Sequence, residues 1–202
     1  MERDKFQTEI ENTINTYKAG YAFTSADFAS IANIDAINKA LSRLNENGII
    51  RRIMHGVYDK PIYSKVLNSY SSPDIDSIAF ALARKFNWTI APAEETALNI
   101  LRLSTQVPNS WHYISDGPYR KYKIGKYILE FKHCANKEIS GKSLKTITII
   151  QAIKYIGKDS IQEEDLKKIS SLLSDEEKKI LLEESKTSTT WIYSLIKKVC
   201  GK

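Results

Sequence analysis

One stretch constrains the fold more than any other: a helical apolar pattern that stops at Gly48 and leads directly into a short hairpin pattern. In residues 34–47, apolar side chains recur at three- and four-residue spacing, which places them on one side of a helix. The following segment, GIIRRIMHGVYDKP, has a His-Gly pair at its tip, and glycine accepts the positive φ of a tight hairpin turn. A hairpin does not need two adjacent arginines, so Arg51 and Arg52 indicate an acidic partner.

Two shorter patterns precede this helix. Residues 5–17 carry apolar side chains along one stripe of an amphipathic helix. Thr24 or Ser25 offers an N-cap for a short helix, and Asn33 makes a turn before the third helix. We predict a winged helix-turn-helix for residues 1–66, because this fold has the same order of elements: a helix, a short helix, a tight turn, a helix and a hairpin. The third helix would then enter the major groove of DNA, and the hairpin would be the wing beside the phosphate backbone.

The charge distribution favours a surface that meets phosphate. Residues 1–35 hold three Lys and Arg against six acidic residues, whereas residues 36–66 hold six against two. A solvated face is the alternative explanation of this imbalance. The apolar positions predicted to face inward on the third helix are Ile34, Ile37, Ala40, Leu41 and Leu44. The residues predicted to contact DNA are Ser25, Lys39, Ser42, Arg43, Arg51, Arg52 and His55.

The rest of the chain predicts a mixed α/β domain over residues 73–202, after a connector at 62–72. A helix is predicted over 75–86, strands in WHYIS and on both sides of the glycine in KYKIGKYILEF, and a helix over 144–156. From about residue 158 the sequence is rich in Lys, Glu and Ser and predicts two or three helices. The predicted fold class is therefore α+β, with a winged helix, a mixed α/β domain and a helical C-terminal tail. The apolar core predicted for this domain is Ile78, Leu82, Ile90, Leu101, Val107, Ile128, Phe131 and Ile149.

A second basic cluster surrounds the predicted strand pair of the α/β domain. Basic residues interleaved with tyrosines suit phosphate contact combined with base or sugar stacking. Charged residues on an exposed hairpin also protect an edge strand from pairing with other chains, and the sequence leaves both interpretations open. The cluster consists of Arg120, Lys121, Lys123 and Lys126.

Candidate catalytic and metal-binding residues are weakly supported. The Asp74-x-Asp76 spacing is typical of carboxylates that hold magnesium, but no glycine-serine phosphate loop precedes it, and acids suit a helix N-terminus. Glu94 and Glu95 are adjacent, so their carboxylates would diverge on a helix. We predict His112 to be a partly buried structural residue.

Known catalytic motifs are missing from the sequence. No HExxH, GxSxG or glycine-rich phosphate loop occurs, and the two cysteines lie far apart without CxxC spacing. We therefore predict no catalytic residue, no metal site, no cofactor and no enzymatic activity.

Composition indicates a cytoplasmic protein without a membrane partner. A hydrophobic content of 42% and a charged content of 27% are ordinary for a globular protein. No apolar run approaches the ~20 residues of a membrane span. The N-terminal residues MERDKFQTEIENTI lack the apolar core of a signal peptide.

Four segments together resemble the AbiEi-type antitoxins of bacterial type IV toxin–antitoxin systems. They are INKALSRLNENGIIRRIMHGVYDKP (37–61), IAFALARKFNWTIAP (78–92), ALNILRLSTQVP (97–108) and YISDGPYRKYKIGKYILEFKH (113–133). The family pattern combines a KALSRL-like recognition helix, a wing ending in G-x-Y-x-x-P, an alanine- or glycine-rich helix, a Leu-Ser-x-Gln-x-Pro segment and a DG turn before a basic hairpin. The resemblance covers roughly residues 3–157. One departure is Met54-His55, where related wings often carry a further basic residue, which implies a weaker or pH-sensitive wing.

The resemblance implies a two-domain protein of a phage abortive-infection system. The winged helix would repress its own operon by binding inverted repeats in double-stranded promoter DNA. The second domain would counter a nucleotidyltransferase-like toxin encoded next to it, without requiring a stable complex. Two other classes compete: a winged-helix protein-interaction module or general transcriptional regulator without antitoxin activity, and an enzyme that acts on nucleotides through Asp74 and Asp76.

Overall fold

The computed structural model describes residues 2–66, 68–106 and 108–202, with side chains from Lys5 onward. The fold is α+β and divides into two compact units, Met1–Trp88 and Thr89–Lys202. The predicted domain boundary lay between residues 66 and 73, so the helix that follows it belongs to the first unit and not to the second. The predicted core residue Val107 lies outside the described residues.

The first unit contains a three-stranded antiparallel sheet with the strand order β1-β3-β2. Its elements are α1 (Glu2–Thr16), β1 (Ala22–Phe23), a 3₁₀ helix (Ser25–Phe28), α2 (Ile34–Glu46), β2 (Arg51–Met54), β3 (Val57–Asp59), β4 (Tyr63–Ser64), β5 (Ser69–Tyr70) and α3 (Ile75–Phe86). Strands β4 and β5 pair as a separate two-stranded sheet in the segment that was predicted to be a connector.

Local side-chain chemistry explains where these elements begin and end. Thr24 caps the 3₁₀ helix through its hydroxyl, which accepts a hydrogen bond from the Ala26 amide. The side-chain oxygen of Asn33 caps α2 by accepting a hydrogen bond from the Ala36 amide, and Gly48 follows α2 with a φ of +72°. Gly56 adopts a φ of +73° in the turn between β2 and β3. Thr24, Gly48 and Gly56 occupy the capping and turn positions predicted for them, whereas Asn33, predicted to make a turn, is the N-cap of α2.

The core of the first unit follows the predicted stripes, with one exception in α2. Ile34 is 55% exposed because it is the first residue of the helix and precedes the turns that pack against α1. The prediction that Ile34 faces inward was therefore wrong. The buried cluster consists of Ile10, Ile14, Phe23, Phe28, Ile37, Ala40, Leu41, Leu44, Ile50 and Tyr58.

Helix α3 completes the first unit because it supplies hydrogen-bond partners to the outer edge of β1. The Ala22 amide donates to Ser77 Oγ at 2.7 Å, and Arg84 Nη2 donates to the Ala22 carbonyl at 2.9 Å. Arg84 also pairs with Asp27, with Nε and Oδ1 2.6 Å apart. Backbone groups of an edge strand need such partners when they are covered. The unit therefore ends after α3.

Burial of the Asp76 carboxylate, the second of the Asp74-x-Asp76 pair, has an electrostatic cost that lowers the stability of the folded chain and can be measured. Asp74 accepts hydrogen bonds from the Asp76 and Ser77 amides and so caps α3. Burial, and then the Asp74 charge, raise the pKa of Asp76 from 3.8 to about 6. Between these pH values the folded state holds more protons at this carboxyl than the unfolded chain does, so stability falls as the pH rises through this range.

We expect Asp76→Asn to raise the free energy of unfolding at neutral pH, by about 1–3 kcal/mol, because it removes this partly buried charge. The gain should shrink as the pH falls below about 6 and disappear at about pH 3, where the carboxyl is protonated in both states. Urea unfolding of both proteins at several pH values measures the difference. A gain that does not change with pH would contradict the electrostatic origin.

The second unit is built on a four-stranded mixed sheet with the order β6-β7-β9-β8. Strands β7 and β9 are parallel, and the two outer pairings are antiparallel. The elements are β6 (Ile90–Ala93), α4 (Glu94–Ile100), β7 (Ser110–Ser115), β8 (Arg120–Ile124), β9 (Tyr127–His133), α5 (Asn136–Ile139), α6 (Leu144–Ile156), α7 (Glu163–Ser171), α8 (Asp175–Glu184) and α9 (Thr190–Val199).

The C-terminal helices belong to the core of the second unit. Helices α7, α8 and α9 place their apolar stripes in one cluster with α4 and α6, and Ser174 and Glu177 form the predicted capping box of α8. The cluster consists of Ala97, Leu101, Ile149, Ile150, Ala152, Ile153, Leu166, Ile169, Leu173, Leu181, Ile192, Ile196 and Val199. The segment from residue 158 onward is therefore integral to this unit.

Across residues 2–66, 68–106 and 108–202, no helix has the length and apolar character needed to cross a bilayer.

Candidate nucleic-acid interface

Helix α2 exposes the polar and basic side chains that the sequence analysis assigned to it. Lys39, Ser42 and Arg43 are all exposed. Ser42 Oγ donates to Glu46 Oε1 at 3.1 Å, and Arg43 Nη1 donates to Gln7 Oε1 at 3.4 Å. Lys39 and Arg43 are four residues apart, so they lie on the same side of the helix.

An open groove of about 450 Å³ runs between α1 and α2. Both basic residues of the exposed α2 face contribute to its wall, and apart from Phe6 its remaining lining is polar or small. The lining residues are Phe6, Gln7, Asn33, Asp35, Ala36, Lys39, Ala40 and Arg43. A ligand on this face would meet two cations on a rigid helix.

The two arginines of the hairpin have different environments. Arg51 forms a two-pronged pair with Asp59: Nε lies 3.0 Å from Oδ1, and Nη2 lies 2.5 Å from Oδ2. Arg51 Nη1 also donates to the Ser71 carbonyl at 2.8 Å. Asp59 is 1% exposed, so its charge depends on this partner. The arrangement makes Arg51 a structural residue and argues against the predicted phosphate contact.

Arg52, in contrast, is exposed at the hairpin. Its amide donates to Asn45 Oδ1 at 2.9 Å, which joins the start of β2 to the last turn of α2. Its guanidinium nitrogen Nη2 lies 2.9 Å from Nδ1 of His55. Because arginine offers only donors, Nδ1 of His55 must accept this hydrogen bond. The hairpin therefore presents one exposed guanidinium beside the imidazole of His55.

Most of the predicted DNA-contact residues are accessible, but not all of them. Ser25, at the start of the 3₁₀ helix, is half-buried, and Arg51 is occupied by Asp59. Sequence reasoning missed Asp59 as a partner and Gln7 as a neighbour of Arg43. The hairpin pattern was the one available signal for Asp59, since opposite charges on paired strands attract each other.

The basic cluster of the second unit lies on β8, which is an edge strand. Arg120, Lys121, Lys123 and Lys126 are all exposed. Side chains alternate along a strand, so Lys121 and Lys123 lie on one face and Arg120 on the other, with Lys126 in the turn before β9. Lys121 Nζ is 3.8 Å from Glu130 Oε2. The cluster surrounds the edge of the sheet and does not form one flat surface.

These features define the class of the protein: an α+β chain of two units, whose first unit presents a helix with exposed Lys39 and Arg43 and an arginine-bearing hairpin. The chain belongs to the family described as a family of unknown function, DUF6088, which it matches over residues 9–181. The match takes in both units and extends through α7 into α8. A comparison with curated proteins gave no match.

Proposed function

We propose that the first unit is a winged helix that binds promoter DNA, with α2 as the recognition helix and the β2–β3 hairpin as the wing. The observation that carries this proposal is the strand order β1-β3-β2 combined with a helix, directly before the hairpin, that exposes Lys39, Ser42 and Arg43. A winged helix places that helix in the major groove and its hairpin beside the backbone. The exposed cations then meet the phosphates, which supply most of the affinity.

In this proposal, different residues contact the bases and the phosphates. Arg43 reads a base, because arginine can bond guanine at two positions in the major groove. Its present partner Gln7 is neutral and 3.4 Å away, so little is lost when the guanidinium turns to DNA. Arg52 holds a phosphate from the hairpin. Arg51 is removed from the contact set because three of its nitrogens are bonded within the unit.

We expect Arg43→Ala to lose about 1–3 kcal/mol of discrimination between the promoter and a scrambled duplex. Arg52→Ala should weaken binding to both duplexes alike and reduce the slope of log K against log salt by about one. Fluorescence anisotropy of the full chain on both duplexes, over a series of salt concentrations, measures both quantities.

Lys179→Ala is the matched control because it removes the same charge from an exposed position on α8. It should change neither discrimination nor the salt slope. If Arg43→Ala leaves the preference for the promoter intact, the base-reading face is wrong. Binding that does not depend on salt would favour the protein-interaction module over a DNA-binding domain, since counterion release accompanies phosphate contact.

We further propose that the second unit counters a nucleotidyltransferase-like toxin, so that the chain acts as a type IV antitoxin and represses its own operon. The support is the resemblance to AbiEi-type antitoxins, together with a second unit that has apolar clusters of its own. Counteraction in this proposal does not require a stable complex with the toxin. The test is rescue of growth in cells that express the toxin from the adjacent gene.

A further inference from the structure

Three side chains of the second unit converge on one point. Glu94 and Glu95 begin α4, and His112 lies on β7. His112 Nδ1 is 3.3 Å from Glu94 Oε2 and 3.4 Å from Glu95 Oε2. One oxygen or nitrogen atom from each of the three residues lies within 4.8 Å of the others. We propose that these three residues bind a divalent transition-metal cation, with zinc as the best match.

The backbone explains why two adjacent glutamates can share one partner. In a regular helix their side chains would diverge, as the sequence analysis expected. Glu94 instead has a φ of +51°, a left-handed conformation that is uncommon for a residue other than glycine. The strained residue turns its side chain towards the same imidazole as Glu95. Such strain persists where the surrounding structure holds it and is concentrated at functional sites.

The spacing fits metal ligands better than a hydrogen bond. Two ligand atoms that are each 2.0–2.1 Å from a tetrahedral zinc ion lie about 3.3–3.4 Å apart. The two distances from His112 Nδ1 match this edge length. His112 Nδ1 and Glu95 Oε2 are both shielded from solvent and form no hydrogen bond with any residue that the structure describes. Buried polar atoms of this kind usually bond a protein group, an ordered water or an ion.

The remaining polar atoms of the three residues are oriented as outer partners of a metal site usually are. Glu94 Oε1 accepts from Lys132 Nζ at 2.6 Å, and Glu95 Oε1 accepts from the Tyr155 hydroxyl. Each glutamate therefore keeps its second oxygen directed at His112. The other ring nitrogen of His112, Nε2, faces Glu130 Oε2 at 3.6 Å. A histidine that binds a metal commonly directs its second nitrogen at a carboxylate.

The donor set also selects the class of cation. An imidazole nitrogen with two carboxylate oxygens suits zinc, manganese or iron, whereas magnesium and calcium prefer oxygen ligands alone. Three protein ligands leave a fourth tetrahedral position for water or for a group from a ligand. The site would join the start of α4 to β7.

The test uses the full chain without an affinity tag, stripped with a chelator and then titrated with Zn²⁺ alone by isothermal titration calorimetry. We expect one ion per chain and a rise in the unfolding temperature when zinc is present. His112→Gln should weaken binding by more than about 100-fold, and Glu95→Gln, which can keep its contact with Tyr155, should weaken it clearly. Glu130→Gln should weaken it by about 10–100-fold, as expected of an outer partner.

The other two histidines of the chain provide matched controls. His55→Gln on the hairpin and His133→Gln, whose Nδ1 lies 2.9 Å from the Gly117 carbonyl, should bind zinc as the wild type does. Circular dichroism confirms that each variant is folded. The proposal is overturned if the wild type binds no stoichiometric zinc. It is also overturned if folded His112→Gln and Glu95→Gln variants bind zinc unchanged, in which case the carboxylates and His112 form only an ion-pair cluster.

Discussion

Arg51→Ala should destabilise the first unit by about 3–5 kcal/mol, because it leaves a buried carboxylate without its partner. Asp59 is 1% exposed and lies opposite Arg51 in the sheet, where the two side chains meet at 2.5 Å. Arg52→Ala, one position further along the same strand, should change stability by no more than about 0.5 kcal/mol, since Arg52 is exposed. Two adjacent arginines are thus expected to differ in their effect on stability and, under the proposed function, in their effect on DNA binding.

Hydrogen–deuterium exchange of the full chain localises the effect. Peptides from residues 51–59 should exchange much faster in Arg51→Ala than in Arg52→Ala, while peptides from the second unit should stay protected in both variants. Adding Asp59→Ala to Arg51→Ala removes the orphaned charge, so part of the lost stability should return. Equal exchange in the two single variants would show that the Arg51–Asp59 pair contributes little.

The same pair of variants separates stability from DNA binding. At a temperature where both proteins are folded, Arg52→Ala should reduce the salt slope and Arg51→Ala should not. A reduced slope in folded Arg51→Ala would mean that its guanidinium leaves Asp59 to contact a phosphate. That outcome would restore the original expectation that both arginines contact DNA.

Reversing the charge of the basic cluster on β8 should abolish protection against the toxin if this hairpin engages the toxin or its nucleic-acid target. All four side chains are exposed, so their substitution by glutamate should leave the fold intact while inverting the local potential. The control reverses four exposed lysines of the C-terminal segment and should retain protection. The cluster variant combines Arg120→Glu, Lys121→Glu, Lys123→Glu and Lys126→Glu; the control combines Lys158→Glu, Lys167→Glu, Lys168→Glu and Lys179→Glu.

The structure also changes which fragments should be used to test whether the two units have separate functions. Residues 89–202 should protect cells from the toxin but lose promoter repression, and residues 1–88 should bind promoter DNA weakly because one winged helix contacts few phosphates. Residues 1–66 should fold less stably than 1–88, since they lack the Ser77 and Arg84 partners of β1. Growth arrest despite a soluble, folded 89–202 fragment would contradict the separate roles of the two units.

Much of the local structure was predictable from the sequence, because short-range chemistry specifies it. The α2 helix was predicted between its Asn33 cap and Gly48, and the hairpin turn was placed at Gly56. The two strands on either side of Gly125 were also predicted correctly. These features depend on apolar spacing, side-chain caps and the conformational freedom of glycine, all of which involve only a few neighbouring residues.

The environments of the candidate-site residues depended on contacts that local patterns do not encode. A regular two-residue turn after Met54 would have placed Arg52 opposite Asp59. The register instead shifts between Arg52 and Met54, so Arg51 faces Asp59 and Arg52 is left exposed. An extra residue in one strand changes which residues face each other across the sheet. The spacing of residues in the sequence does not show where such an extra residue occurs.

Long-range packing decided the remaining features of the molecule. Helix α3 belongs to the first unit because Ser77 and Arg84 bond to an edge strand more than fifty residues earlier in the chain. His112 meets Glu94 and Glu95 because β7 pairs with β6 and because Glu94 adopts a left-handed backbone. The sequence by itself determined the amphipathic helices, the caps and the tight turns, since each depends on neighbouring residues, but the β4–β5 pair was not among the predicted elements. The tertiary structure alone decided which charges meet, since that depends on strand register and on helix packing across distant segments.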